Sequence, residues 1–137
     1  MHSIEKNLKV VNLLISDEYA AGTDNGTCVD SMGFEEMLII LNVGENAAGG
    51  TLDVKLQEGA ESDGSDAADI TGAAFTQITT SNDVNIYVAR LNLRGRERYI
   101  RAVGVTATAA CTYSVSGIMA GALSLPVSQV NSAVFSV

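Results

Sequence analysis

Residues Thr51 to Glu58 read TLDVKLQE and alternate without a break, with Leu52, Val54 and Leu56 on one side and Asp53, Lys55 and Gln57 on the other. Period-two alternation places the two sets on opposite faces of an extended chain, so this is a strand with one face on a core and the other in water, as antiparallel sheets allow. The segments on either side fit the same architecture. Upstream, the small-residue turn Gly44 to Gly50 follows Glu35 to Val43, EEMLIILNV, whose apolar run Met37 to Leu41 does not alternate. A strand apolar on both faces belongs in the middle of a sheet or between layers.

Further upstream, Lys9 to Ile15 is strand-like, Ser16 to Glu18 turns the chain, Asn25-Gly26 is a hairpin-type turn, and Thr27 to Ser31 is a short strand. Downstream, Gly59 to Asp69, GAESDGSDAAD, is an acidic loop. Ile70 to Ile78 returns to apolar residues, with Gly72 as a turn and Phe75 buried. After a turn at Ser81 to Asp83, Val84 to Leu93 is expected to point Val84, Ile86 and Val88 inward and then to shift phase at a bulge near Ala89, so that Leu91 and Leu93 face in. Tyr99 to Thr106 and Thr112 to Ala120 are the last strands, and no segment has a convincing helical period. About seven to nine short strands separated by turn residues predict an all-β fold, an antiparallel β-sandwich or jelly-roll-like barrel. One domain is expected, with an N-terminal arm at 1–8, the sandwich at 9–121 and an irregular C-terminal tail at 122–137.

Composition narrows the function. The 137 residues carry a net charge of −8, unevenly distributed. Residues 1–89 hold three Lys against fifteen Asp or Glu, or −12, and residues 90–137 hold five Arg against Glu97, or +4. Such acidity repels phosphate backbones and anionic membrane surfaces, so neither nucleic acid nor membrane is an expected partner. No apolar run approaches the ~20 residues of a membrane helix. Glu5, Lys6, Asn7 and Lys9 interrupt any signal-peptide core, which predicts a chain made in the cytoplasm. Cys28 and Cys111 are too few for a disulfide scaffold and read as small buried hydrophobes.

Catalytic parts are scarce. His2 is the sole histidine and stands at the extreme N-terminus, so no Ser-His-Asp or Cys-His arrangement is expected, nor any cofactor or metal site. Asp63, Asp66 and Asp69 could offer oxygens to calcium, but their three-residue spacing does not fit the D-x-D-x-D-G loop, and a solvated acidic loop is the expected reading. The basic stretch Leu91 to Val105, LNLRGRERYIRAVGV, is the electrostatic candidate. Arg94, Arg96, Arg98 and Arg101 could meet carboxylates within the chain or on another subunit, and the acidity of the rest favours carboxylates over phosphate. In the apolar tail, Leu125, Pro126, Val127, Val134 and Phe135 are candidate contact residues, because the tail has little claim on the core.

The succession GTCVDSMGFEEMLIILNVG, TLDVKLQEG, DITGAAFTQI and LNLRGRERYIRAVGVT, closing on YSVSGIMAGA, resembles the small β-sandwich virion proteins of tailed bacteriophages. These are head decoration (capsid cement) proteins and related minor head or neck proteins, and the resemblance covers about residues 9–121. It implies a non-enzymatic protein on the outer capsid surface, made in the host cytoplasm, binding major capsid subunits and itself as a homo-oligomer, often a trimer, and so stabilising the head. Two other readings stay open: a head-to-tail connector or tail component, and a carbohydrate- or calcium-binding sandwich module.

Overall fold

The computed structural model describes residues 4–129 and Ala133. A single helical turn, α1 (Ile4–Asn7), precedes nine strands: β1 (Lys9–Tyr19), β2 (Gly22–Asn25), β3 (Val29–Asp30), β4 (Glu36–Asn46), β5 (Thr51–Gly59), β6 (Ala68–Ala74), β7 (Asn85–Asn92), β8 (Tyr99–Ala107) and β9 (Cys111–Ala120). They form two antiparallel sheets, ordered β1-β9-β4-β7 and β2-β8-β5-β6, with β3 paired to β8 beyond β2. The pairs are nested: β1 with β9, β2 and β3 with β8, β4 with β7, β5 with β6. A long hairpin rolled on itself gives this order, which is the jelly-roll form of the sandwich.

Eight of the nine strands fall largely on stretches read as strands, whereas β2 lies where none was expected, and the core is aliphatic apart from Tyr113. Met37, Ile39 and Leu41 from β4 meet Leu52, Val54 and Leu56 from β5, with Ile100 and Ala102 from β8 and Val115 and Met119 from β9. β4 lies between β9 and β7, in the middle of its sheet as its composition required. Of its outward residues, Leu38 is exposed and Ile40 half-buried, and no strand among the described residues lies over them.

Four local expectations are corrected. Ser16 to Glu18 is not a turn: β1 continues to Tyr19, because Asp17, Glu18 and Tyr19 pair with Tyr113, Thr112 and Cys111. Register shifts at Asn12/Leu14 and Leu14/Asp17 absorb the irregularity and bury both Leu13 and Leu14. Asn25-Gly26 is not a hairpin turn, because β2 runs to Asn25 along β8 and Gly26 donates to the Ala102 carbonyl at 2.8 Å. Gly72 does not end a strand either: it lies within β6 at φ 81°, in an irregularity where Asp69 to Ala74 stands opposite only Gln57 to Lys55 of β5.

The fourth correction concerns β7, which keeps one phase throughout. Ile86 and Val88 point outward, Tyr87 and Leu91 inward, and the ladder with β4 is continuous from Asn85 to Asn92. The preceding loop sets this phase. Asp83 accepts from the Asn46 amide at 2.8 Å, the Val84 amide donates to the Gly44 carbonyl at 3.1 Å, and the Tyr87 hydroxyl donates back to the Asn82 carbonyl. Val84, at φ 52°, is solvent-exposed. Cys28 and Cys111 are free thiols, Cys28 half-buried rather than buried. Burial pushes the Cys111 thiol up, which disfavours a reactive thiolate.

Candidate interaction surface

Between β7 and β8 the chain turns at Arg94-Gly95, with Gly95 at φ 76° and the Arg96 amide donating to the Leu93 carbonyl at 3.1 Å. Positive φ suits glycine, and the turn splays the arginines instead of lining them along one strand face. Each then meets a partner within the chain. Arg94 reaches Glu35 at 3.0 Å, Arg96 reaches Glu58 at 3.3 Å, and Arg101 donates to the Gln57 side-chain carbonyl at 2.9 Å. Arg98 grips Asp30 with both arms of its fork, at 3.0 and 2.8 Å, while its guanidinium lies 5.2 Å from the Tyr99 ring centre. Of the destinations open to these arginines, carboxylates and an amide of the same subunit are the ones occupied. Exposed pairs of this kind contribute about 0–1 kcal/mol each, so they shape the loop more than they stabilise the fold.

The Arg98 hydrogen bond holds the Asp30 carboxyl below its ordinary range, and backbone or side-chain donors do the same for Asp63, Asp66 and Asp69. A group whose pKa falls on folding binds fewer protons folded than unfolded. Its contribution is therefore complete above the ordinary carboxylate value of about 3.9 and fades as the pH drops through the lowered value. Melting temperature is expected to fall as the pH drops below about 4, and less steeply in Asp30→Asn than in the parent. An equal fall in both proteins would show that the Asp30–Arg98 pair has no part in it.

The acidic loop is folded around its own carboxylates. Asp66 accepts from the Ala60 and Glu61 amides at 2.8 and 3.1 Å, Asp63 from the Ser65 amide at 2.9 Å, and Asp69 bridges Lys55 at 2.9 Å and Gln57 at 2.7 Å. Among the described residues no three His, Cys, Asp or Glu are gathered as a cation would need.

The tail returns along the N-terminal arm, a proximity that sequence reasoning missed. Leu123 donates to the Gly33 carbonyl and Val127 to the Lys6 carbonyl, both at 2.8 Å. The Gln129 side chain accepts from the Val10 amide at 3.1 Å and donates to the Leu8 carbonyl. Leu125 and Pro126 are exposed and Val127 is half-buried, whereas Val134 and Phe135 lie outside the described residues. One end of the sandwich thus carries the arginine turn, the arm and the tail, with Ile4, Met32, Leu123 and Leu125 all exposed there. A strand-by-strand signal could not have revealed this, since the tail's contacts join residues 90 or more positions apart.

No protein-family profile and no curated protein sequence matches the chain. Among solved structures it is similar to the SPBc2 prophage-derived protein YomS, with a TM-score of 0.55 and 11% identity over 84% of this chain and 94% of that one. It is also similar, at a TM-score of 0.42 and 12% identity over 90% of this chain and 97% of the other, to a structure described as Bacillus endospore appendages that form a novel family of disulfide-linked pili. At such identities the first likeness shows a shared fold, and the second carries no argument.

Proposed function

We propose that the chain is a non-enzymatic virion structural protein of a tailed phage, a head decoration protein that binds major capsid subunits through the end of the sandwich holding the arm, the tail and the arginine turn. The observation that carries this is the convergence there of four exposed apolar side chains, Ile4, Met32, Leu123 and Leu125, beside Arg94 and Arg98. Apolar groups that a fold leaves uncovered beside polar neighbours mark contact surfaces. The fold shared with a prophage-derived protein and the resemblance of the strand sequence support the virion setting. Binding in this reading involves no chemistry, and individually weak contacts strengthen when an oligomer engages several capsid subunits at once.

Deleting Ser124 to Val137 removes Leu125, Pro126 and the bonds to Lys6 and Leu8 but none of the ladder of β1 with β9. The shortened protein is expected to keep its circular dichroism spectrum and to stop co-sedimenting with capsids, where the parent sediments at a copy number proportional to the major capsid protein. Normal incorporation of the shortened protein would reject the tail as anchor. A fixed low copy number would place the protein at the neck or tail instead.

A further inference from the structure

The two outer faces of the sandwich differ in kind. The outer face of the β2-β8-β5-β6 sheet presents Asp30, Arg101, Asp53, Lys55 and Asp69 around Tyr99, Val103 and Val105, none of these three exposed, so its exposed side chains are mostly charged. The outer face of the β1-β9-β4-β7 sheet does not. Its registered rows read Val10–Ile118–Leu38–Arg90, then Asn12–Ser116–Ile40–Val88, then Ser114–Asn42–Ile86. Val10 is 55% exposed, Leu38 37%, Ile86 64% and Val88 62%, and Ile40 and Ile118 between them are half-buried. Six aliphatic side chains thus form one apolar band across all four strands.

This band is also electrically quiet in a strongly acidic chain. Beside these rows stand two ion pairs, Glu36 with Arg90 at 3.8 Å and Glu35 with Arg94 at 3.0 Å, and Glu18 and Glu45 are exposed toward the far ends of β1 and β4. From these observations we infer that the outer face of the β1-β9-β4-β7 sheet is the contact between two copies of this chain, packed sheet against sheet about a two-fold axis. Two bodies of charge −8 repel wherever their acidic surfaces meet, and this face, where the charges nearest the apolar band are paired, is where a second copy approaches at low electrostatic cost. Four strands about 4.8 Å apart and some eight residues long at about 3.4 Å per residue offer a footprint of roughly 500 Å². That is below the ~800 Å² per partner of standard stable complexes, so the dimer is expected in the micromolar range. Facing sheets pack about 10 Å apart with strands within ~30° of alignment, which lets Leu38, Ile40, Val88 and Ile118 interdigitate with their symmetry mates. The inference concerns the isolated chain and does not depend on the virion reading. A two-fold pair also differs from the trimer that the resemblance implies.

The test is sedimentation velocity on the purified full chain across a micromolar to submillimolar concentration series. A monomer–dimer equilibrium is expected, tightening as salt screens the repulsion between copies. Leu38→Glu/Val88→Glu is expected to raise the dissociation constant at least tenfold per charge with an unchanged circular dichroism spectrum, and Thr23→Lys on the other sheet is expected to leave it unchanged. Val10→Lys, on an exposed edge position, gives the same readout if the double variant fails to fold. A parent that stays monomeric throughout would overturn the inference. So would a dimer that persists in Leu38→Glu/Val88→Glu, which would indicate pairing along the free edge of β7, or a dimer that forms only after truncation at Gln129, which would show the chain's own tail covering the band.

Discussion

Gly26→Ala is expected to lose about 4 kcal/mol of stability, a large share of the ~5–15 kcal/mol available to a domain of this size. A Cβ on Gly26 would stand 2.1 Å from the Leu13 carbonyl oxygen and 2.7 Å from that of Ala102. Those oxygens belong to β1 in one sheet and β8 in the other, and both are in use: the Gly26 amide donates to Ala102 at 2.8 Å and the Thr27 amide to Leu13 at 2.9 Å. Backbone atoms in two ladders cannot rotate away as a side chain can. Making room therefore costs both hydrogen bonds, at about 1 kcal/mol each, and about 1–3 kcal/mol of overpacking. Urea denaturation with Gly72→Ala as reference separates crowding from conformational strain. Gly72 sits at φ 81° with nothing near its missing Cβ, so its substitution is expected to cost only the ~1–2 kcal/mol of a left-handed residue. A Gly26→Ala midpoint equal to or above that of Gly72→Ala would contradict this account.

The same glycine shows where reading the chain alone stops. Asn25-Gly26 has the composition of a tight turn, and local preference could not reveal that the glycine is needed for room between two sheets. β5 was legible because one of its faces is covered and the other wet, so alternation mapped directly onto structure. β4 was legible as a central strand. Its outer residues Leu38 and Ile40, however, carry the same apolar signal whether a second layer or a second molecule is to cover them. In β7 the set Val84, Ile86, Val88 alternates as well inward as outward. The choice was made by bonds from Asp83 and Val84 to β4, which are tertiary. The arginine loop was legible by residue type and not by partner: Asp30 and Glu58 lie 68 and 38 residues from the arginines they meet. The four exposed side chains at the tail end, Ile4, Met32, Leu123 and Leu125, come from three separate parts of the chain, and only the folded tail brings them together.

Gly104 and Tyr113 are expected to behave as one unit. Gly104 faces inward from β8, and a Cβ there would fall 1.8 Å from the Tyr113 hydroxyl oxygen and 2.7 Å from the ring carbon that bears it. The ring has no free space to retreat into: Tyr113 is 1% exposed and packs on Tyr19 at 4.6 Å between ring centres. Its hydroxyl is buried, the buried Thr106 hydroxyl facing it in a geometry too poor to count as a hydrogen bond, and desolvation pushes the phenol well above its usual range. Gly104→Ala must then displace a fully enclosed aromatic ring, at an expected cost of 3 kcal/mol or more, toward the upper end for overpacking. Tyr113→Leu trades that clash for a cavity and is expected to cost about 2–3 kcal/mol on its own. Leucine is short enough to admit the new methyl group, so Gly104→Ala/Tyr113→Leu should be less damaging than the two single changes summed, by at least 1 kcal/mol in a double-mutant cycle. Tyr113→Phe should give no such relief, because the ring carbon remains within 2.7 Å of the new methyl. Strict additivity of Gly104→Ala and Tyr113→Leu in chemical denaturation would mean that the glycine is required for something other than the ring across from it.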